Sequence, residues 1–320
     1  MCQSILQIFP RERRGLFEHT ASREKKVNEI RLRCEKPILV IEGGQEFFLN
    51  REGRYTTILE EAVVLQRSEL DGIVQHVCQY SLYAYEEELK QGYITVAGGH
   101  RIGMVGQVVM GEEGRIRTIK NIRGLNIRVS HQIKGVAQYI LPYLYENGEI
   151  KNVLIVSPPG CGKTTLLRDM VRNISDGNTF AKGVTVGVVD ERSEIAGAFL
   201  GQPQNDVGIR TDVLDACPKA VGMMLLLRAM SPKVIAVDEL GSEEEMAAVK
   251  TIVSCGSKIL ATMHGNDLQD IRRRSGMEKL LREACFDLIL LLGKEKGKCM
   301  IRGIFEEAES GEWVCRNYSV

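Results

Sequence analysis

Apolar and polar residues follow different patterns in the two halves of the chain. In the second half, short runs that are apolar almost throughout are separated mostly by stretches of helical periodicity. These runs are NVLIVS, GVTVGVVDE, KVIAVDE, SKILATMH and FDLILLL. Continuous apolar strands are typical of a parallel sheet that helices bury on both faces. The second half is therefore predicted to be an α/β domain.

The first half has a mixed pattern. KPILVIEGG and EFFLN predict two strands joined by a glycine turn. YITVAGGHRIGMVGQVVMGEEGRIRTIKNIRGLNIRVS predicts an antiparallel meander of short strands. SELDGIVQHVCQYSLYAYEEELKQGY has the periodicity of a helix. One face of this helix is expected to carry Leu70, Ile73, Val74 and Val77.

The segment GVAQYILPYLYENGEI, between the two patterns, is predicted to be a linking helix. We place the domain boundary near Gly135. Residues 1–135 are then a smaller α+β domain, and residues 136–320 are the α/β domain.

Composition narrows the class of protein. The 320 residues are 44% hydrophobic and 26% charged, and 42 basic residues balance 42 acidic ones. Domains that bind polyanions are usually basic, so this balance argues against a general nucleic-acid binder. The nine cysteines form no CxxC pair, which favours reduced thiols in a cytosolic protein. The run FDLILLL is far shorter than the ~20 residues of a membrane span, so we expect no integral membrane segment.

The sequence SPPGCGKT lies between a predicted strand and the predicted helix TTLLRDMVRNI. This context is that of a P-loop, where backbone N–H groups and the helix dipole surround a phosphate. Lys163 is expected to reach the β- and γ-phosphates of ATP, and the Thr164 hydroxyl to bind Mg²⁺. Ser157 replaces the first glycine of GxxxxGK[ST], which matters only if that position requires a positive φ. The predicted nucleotide-binding residues are Ser157, Pro158, Pro159, Gly160, Cys161, Gly162, Lys163, Thr164 and Thr165.

An acidic pair follows another predicted strand in PKVIAVDELGSEEE. Asp238 and Glu239 come at the carboxyl end of the strand, where open α/β sheets bind ligands. Asp238 is expected to hold Mg²⁺, directly or through water, and Glu239 to orient and polarise the attacking water. The alternative is that both acids only cap the acidic helix SEEEMAAVKTIV.

Two further strand ends carry polar residues. GVTVGVVDERSEIAG ends a strand in Asp190 and Glu191, and SKILATMHGND ends one at His264. Two acidic pairs at one sheet edge make sense around a cation, because like charges otherwise repel or take up protons. The alternative for the first strand is an exposed turn with a surface pair of Arg192 and Glu194. His264 either hydrogen-bonds the γ-phosphate or is structural.

In this order the motifs resemble those of the secretion ATPases of type II, type IV and pilus systems. Those enzymes carry a P-loop, an aspartate box, a Leu-Arg…Pro run into a Walker B glutamate, and a histidine box. The corresponding residues here are Ser157–Thr164, Asp190–Glu191, Leu227-Arg228 with Pro232 before Asp238–Glu239, and His264. Longer strings resemble the stage III sporulation protein AA family over almost the whole chain. They include PPGCGKTTLLRD, VVDERSEIAG, AGGHRIGMVGQ and NIRGLNIRVSH.

The resemblance implies a RecA-like P-loop core that hydrolyses ATP to ADP and phosphate with Mg²⁺. It implies a homo-oligomer, expected to be a hexameric ring, that energises a channel complex between mother cell and forespore. Such a protein would lie in the mother-cell cytoplasm and reach the membrane through the channel proteins, with no specific nucleic-acid partner. Glu191 would assist Glu239, and His264 would sense the γ-phosphate.

In such rings an arginine from a neighbouring subunit or from the N-terminal domain often completes the site. The candidates are Arg101, Arg123 and Arg128 in the meander, and Arg210 in GIRTDV. Each is otherwise explained as a solvated arginine. Two other functions stay open. One is a nucleotide-gated assembly module with little hydrolysis, and the other is a nucleic-acid translocase that uses the basic cluster Arg272–Arg274.

Overall fold

The two sequence patterns fold into two units in a computed structural model of the chain. The structure describes residues 4–79, 81, 85–90, 92–111, 114, 116–274, 276–295, 298–308 and 312–316. Unit 1 comprises Met1–His131 and Gly197–Gln204, and unit 2 comprises Gln132–Ala196 and Asn205–Val320. The predicted boundary near Gly135 assigns the short segment Gly197–Gln204 to the second domain, whereas the structure packs it with unit 1. In unit 1, Gln204 Oε1 accepts a hydrogen bond from the Gly98 N–H at 2.9 Å.

Unit 1 contains a seven-stranded sheet. Its strands are β1 (Val27–Arg33), β2 (Leu39–Glu42), β3 (Gln45–Leu49), β4 (Tyr55–Thr56), β5 (Tyr93–Val96), β6 (His100–Met110) and β7 (Ile116–Arg128). Their order is β4-β3-β2-β1-β7-β6-β5, and all neighbouring strands are antiparallel. Gly43 and Gly44, both at positive φ, turn the chain from β2 into β3. The predicted hairpin and the antiparallel meander are therefore confirmed, but the meander's strands β6 and β7 have 11 and 13 residues where short strands were predicted.

The helix predicted between residues 68 and 93 is interrupted in the structure. The helices of unit 1 are α1 (Ser4–Gln7), α2 (Arg14–Ser22), α3 (Arg67–Val77) and α4 (Glu86–Lys90), with 3-10 turns at Arg11–Arg13 and Leu59–Glu61. Helix α3 ends at Val77, Gln79 adopts a left-handed backbone with φ 49°, and Tyr93 already begins β5. The predicted apolar face is buried at Leu70, Ile73, Val74 and Val77. Residues 80, 82–84 and 91 of the predicted helix lie outside the described residues.

The predicted linking helix is wrong for most of its length. Within residues 135–150, all of which are described, α-helix is confined to α5 (Leu141–Leu144). The chain then forms a hairpin of β8 (Tyr145–Glu146) and β9 (Glu149–Ile150). Asn147 and Gly148 have φ values of 52° and 83°, the backbone of a two-residue hairpin turn that Asn-Gly pairs favour. This local turn preference outweighs the helical periodicity around it.

Unit 2 is built on an eight-stranded sheet. Its strands are β10 (Val153–Ser157), β11 (Val186–Asp190), β12 (Thr211–Asp215), β13 (Val234–Val237), β14 (Lys258–His264), β15 (Leu288–Glu295), β16 (Lys298–Glu307) and β17 (Trp313–Arg316). Their order is β12-β11-β13-β14-β10-β15-β16-β17. Pairing is parallel from β12 to β15, and β16 and β17 are antiparallel. Every predicted apolar run forms one of the parallel strands, so the mainly parallel sheet is confirmed.

Helices cover this sheet and bury both of its faces. They are α6 (Lys163–Asp176), α7 (Lys219–Ala229), α8 (Glu243–Ser254), α9 (Leu268–Arg272) and α10 (Met277–Arg282). Alternate residues of β10 enter two different apolar clusters: Ile155 belongs to one, and Leu154 and Val156 belong to the other. Within the described part of the chain, no helix combines the length and apolarity that a membrane crossing needs.

Candidate active site

The P-loop connects β10 to α6 at the carboxyl edge of the sheet. Gly160 and Gly162 both have a left-handed backbone, with φ values of 68° and 80°, and α6 begins directly at Lys163. A side chain at either glycine would be strained, so the glycines permit this loop shape. The loop borders a cavity of about 260 Å³ in unit 2. Its lining consists of Gly160, Cys161, Gly162, Lys163, Thr164, Thr165, Glu194, Asp238, Glu239 and His264.

Ser157 fits the place where the P-loop pattern has glycine. It is fully buried at the end of β10, and its hydroxyl donates to the Pro158 carbonyl at 2.7 Å. Its backbone is that of a strand and does not have a positive φ. The small side chain is therefore accommodated without the backbone strain that would make glycine necessary.

Lys163, His264 and Glu239 form one continuous hydrogen-bonded chain. The Lys163 ammonium donates to His264 Nδ1 at 2.9 Å, and the other ring nitrogen, Nε2, pairs with Glu239 Oε1. A neutral imidazole that accepts at Nδ1 carries its proton on Nε2 and can donate it to the carboxylate. Burial lowers the pKa of Lys163, while the carboxylates of Asp238 and Glu239 act in the opposite direction. His264 and Glu239, both predicted to be catalytic, are therefore linked to the P-loop lysine by hydrogen bonds.

Thr164 and Asp238 supply neighbouring oxygen atoms to the cavity that Lys163 also lines. The Thr164 hydroxyl donates to Asp238 Oδ2 at 2.5 Å, and the hydroxyl of the fully buried Thr262 donates to Asp238 Oδ1. Hydroxyl and carboxylate oxygens are the ligands that Mg²⁺ prefers, and nucleotide sites commonly combine one or two of them with phosphate oxygens. The side chains present thus fit a Mg²⁺ ion bound together with ATP.

The backbone of Glu239 adopts a conformation that is unusual for glutamate. Its φ of 61° lies in the left-handed region, and its N–H donates to Thr262 Oγ1 at 2.8 Å. The cap of α8 is provided by Ser242, which exchanges hydrogen bonds with Glu245 in a capping box. The alternative that Asp238 and Glu239 cap this helix is therefore wrong.

Asp190 caps a turn and does not join the cation site. Its two carboxylate oxygens accept the backbone N–H groups of Glu194, Ile195 and Ala196 at 2.7–3.1 Å. Burial raises the pKa of the Asp190 carboxyl, and these three N–H groups oppose the rise. The hypothesis that both acidic pairs crowd around one cation is therefore not supported for Asp190.

Replacing Asp190 by alanine is expected to lower the free energy of unfolding by at least about 2 kcal/mol. The substitution leaves buried N–H donors without an acceptor, and each such group costs about 1–3 kcal/mol. Urea unfolding of the variant and the parent measures the difference. Asp212→Ala, at an exposed position on β12, is the matched control and should stay within about 0.5 kcal/mol of the parent. Equal stability of both variants would contradict the capping role.

The second acidic residue of that strand end, Glu191, contacts Lys219. The Lys219 ammonium lies 3.5 Å from Glu191 Oε2, and Arg192 donates to Glu239 Oε2 at 2.9 Å. The sequence alternative of a surface pair between Arg192 and Glu194 overlooked this link to Glu239. The sequence also did not indicate that Thr262, Lys219 and Glu194 lie near the site. Thr262 lies in the apolar run SKILATMH, where a hydroxyl in the middle of a predicted buried strand was the available signal.

The candidate arginines lie in different parts of the chain. Arg101 and Arg128 face each other across β6 and β7 in unit 1, and Arg101 lies over the Tyr93 ring at 4.9 Å. Arg123, also in unit 1, donates to Cys34 Sγ at 3.4 Å. Arg210 donates to the carbonyl of Ser175 at 2.8 Å, at the C-terminal end of α6. Since α6 begins at the P-loop, Arg210 lies about 20 Å along the helix from Lys163 of the same chain.

The fold matches those of two solved proteins, an ATPase and a pilus retraction motor. The ATPase DotB of Legionella pneumophila aligns with a TM-score of 0.58 at 15% identity, over 92% of this chain and 80% of DotB. The pilus retraction motor PilT, solved with bound ADP, aligns with a TM-score of 0.60 at 15% identity, over 95% of this chain and 83% of PilT. The chain thus has the fold of the RecA-like secretion ATPases.

Sequence relatives define the family within this fold. The profile of the family "Sporulation stage III, protein AA" matches residues 2–312. Stage III sporulation protein AA of Bacillus subtilis is 38% identical over 304 residues, which are 95% of this chain and 94% of that protein. The protein SEEDLING PLASTID DEVELOPMENT 1 of Arabidopsis thaliana is 30% identical over 173 residues, which are 52% of this chain and 24% of that protein. The chain belongs to the sporulation stage III protein AA family, which confirms the resemblance inferred from its motifs.

Proposed function

We propose that this protein binds ATP with Mg²⁺ and hydrolyses it to ADP and phosphate. The observation that carries the proposal is the meeting of Lys163, Thr164, Asp238, Glu239 and His264 around one cavity. These are the groups that phosphoryl transfer needs: a lysine for phosphate charge, oxygen ligands for the metal and a carboxylate for water. The secretion ATPase fold supports the same activity.

Each side chain then has a role in the reaction. Backbone N–H groups from Gly160 to Thr165 cradle the phosphates, and Lys163 leaves His264 to bind the β- and γ-phosphates. Thr164 and Asp238 would hold Mg²⁺, and the bound ion would supply positive charge beside the phosphate oxygens. Glu239 orients and polarises the attacking water, and Glu191 assists. His264 contacts the γ-phosphate and transmits its loss to Glu239.

Two other functions make different predictions. A nucleotide-gated assembly module would bind ATP with little turnover, and the full set of acidic and basic groups around the cavity favours hydrolysis over it. A nucleic-acid translocase would need a basic surface, whereas acidic and basic residues are balanced in this chain. Measuring the turnover of ATP distinguishes hydrolysis from the assembly module. Stimulation of turnover by DNA or RNA would identify a nucleic-acid translocase.

We further propose that the protein works as a ring, hexameric by the resemblance to secretion ATPases, and energises a channel complex between mother cell and forespore. Membership of the sporulation family supports the biological setting. Exposed apolar side chains on one side of α7 and just beyond it support self-association. Val221, Leu225 and Met230 are 62%, 50% and 50% exposed. The protein would act in the mother-cell cytoplasm and join the membrane through channel proteins.

Turnover is expected to depend on assembly. The proposal is that Arg101 or Arg128 of one subunit completes the ATP site of its neighbour, where such a charge is worth about 10³–10⁵ in rate. Specific activity should then rise with protein concentration as subunits associate by mass action. Measurement of turnover beside the solution mass, with and without ATP, tests this expectation.

A mixing experiment identifies the arginine. Arg128→Ala and Lys163→Ala are each expected to be inactive alone, and their mixture should regain some activity, because an intact arginine can meet an intact P-loop at a mixed interface. The Arg128→Ala/Lys163→Ala double variant, mixed with either single variant, is the control and should restore nothing. The same design applies to Arg101. Specific activity that is constant across the assembly range would show that one subunit holds a complete site.

A further inference from the structure

Lys219, the first residue of α7, lies at the meeting point of the loops that carry both acidic strand ends. Its ammonium donates to the backbone carbonyl of Glu239 at 2.6 Å. It also pairs with Glu245 Oε1 at 3.1 Å and with Glu191 Oε2 at 3.5 Å. The Lys219 side chain is only 11% exposed. A lysine with three oxygen partners is therefore largely removed from solvent beside the candidate catalytic glutamate.

The backbone that Lys219 contacts is the part of the site that most needs support. A left-handed φ is disfavoured for glutamate, and strain of this kind persists only where the surroundings fix it. Thr262 holds the N–H of Glu239, and Lys219 holds its carbonyl. Glu245, itself paired with Lys219, accepts the N–H of Gly241 at 2.7 Å. Hydrogen bonds to both the N–H and the carbonyl of Glu239 thus fix the turn that orients its carboxylate.

Lys219 also balances the negative charges of the carboxylates around it. Glu191 and Glu239 follow neighbouring strands, β11 and β13, and Arg192 also pairs with Glu239. Without the ammonium, the carboxylates of Glu191 and Glu245 would lose their shared cation, and repulsion between like charges would shift the loops that carry them. Lys219 does not line the cavity at the P-loop, so its effect would pass through the position of Glu239.

We propose that Lys219 is a positioning residue that holds Glu239 in its catalytic orientation and couples α7 to the ATP site. This inference rests on the proposed hydrolysis of ATP. Lys219 should affect the hydrolysis step and not the affinity for ATP, because β10 and α6 hold the phosphate-binding groups of the P-loop. Because Lys219 belongs to α7, movement of this helix would shift the ammonium group and with it the orientation of the Glu239 carboxylate.

Lys219→Met, which keeps the apolar stem and removes the ammonium, tests the inference. We expect kcat to fall by about 10–10²-fold, the effect of misplacing a catalytic group by about 1 Å. Affinity for a fluorescent ATP analogue should stay within about threefold of the parent, a change of less than about 0.7 kcal/mol. Lys219→Arg, which keeps the charge and the donors, should recover part of kcat. Lys250 is an exposed lysine of α8 that pairs with Glu283, and Lys250→Met is the matched control that should leave kcat unchanged.

Hydrogen–deuterium exchange provides a measurement that does not depend on turnover. In the nucleotide-free protein, the peptide that covers residues 237–242 should exchange faster in Lys219→Met than in the parent and in Lys250→Met. Lys219→Gln, a neutral and shorter donor, is the second variant if Lys219→Met melts near the working temperature. Unchanged exchange of this peptide, or parental kcat in folded Lys219→Met or in the Lys219→Gln variant that replaces it, would overturn the inference. A parent protein that binds ATP without turnover would instead contradict the proposed function, and exchange would still decide whether Lys219 holds the turn.

Discussion

Lys163→Ala is expected to remove most of the ATP binding. The Lys163 side chain is buried to 7% exposure at the start of α6, where its ammonium faces the cavity and is hydrogen-bonded to His264. Hydrogen bonds to charged groups contribute about 1.5–3 kcal/mol, so losing the lysine should weaken ATP affinity by about 10-fold to 100-fold or more. Titration calorimetry with Mg²⁺-ATP on the purified variant measures the change.

Lys182→Ala is the matched control for this experiment. Lys182 is an exposed lysine on the segment after α6, so its removal changes the net charge equally and leaves the P-loop intact. It should bind ATP with the affinity of the parent. Parental affinity in Lys163→Ala would refute the assignment of the P-loop, whatever the turnover of the parent.

The sequence predicted the parallel part of the sheet well because its strands carry a strong signal. VLIVS and VIAV have no outward polar position, and burial on both faces leaves few other structures for such runs. Strand β12, with the sequence TDVLD, escaped prediction because an edge strand is only partly buried and its pattern resembles a loop. The hairpin at Asn147-Gly148 was missed for a different reason. There, a two-residue turn preference decides the structure and periodicity over a longer window does not.

The candidate site was predictable where a motif fixes the backbone and unpredictable where the partner of a side chain depends on the fold of the surrounding loops. The segment from Ser157 to Thr165 is continuous in sequence, so its strand, loop and helix could be inferred together. The role of Lys219 depends on a backbone carbonyl 20 residues further along the chain, and the role of Asp190 depends on the fold of the turn that follows it. An acidic strand end does not reveal that its oxygens accept the N–H groups of Ile195 and Ala196. Likewise, nothing in the string CPKAVG indicates a bond from Lys219 to the Glu239 carbonyl.

Glu239→Gln is expected to abolish most turnover while ATP still binds. The amide is nearly isosteric with the carboxylate, so the backbone bonds of residue 239 to Thr262 and Lys219 should remain. The amide oxygen can still accept from His264 Nε2, and Thr164 and Asp238 still offer their oxygens to Mg²⁺. What is lost is the basicity that polarises water, typically worth ~10²–10⁴-fold in rate. Steady-state turnover, measured beside titration with a fluorescent ATP analogue, separates the two effects.

Glu244→Gln controls for the loss of one negative charge near this end of α8. Glu244 is exposed in the first turn of the helix, so the variant should turn over at the parental rate. Parental turnover in Glu239→Gln would place the base on another carboxylate. Glu191 is then tested first and Glu194, which lines the cavity, second. Loss of ATP binding in Glu239→Gln would instead mean that the negative charge at the end of the Lys163–His264–Glu239 chain is needed to shape the phosphate site. In that case, His264→Ala should weaken binding to the same extent, because it breaks the same chain at its centre.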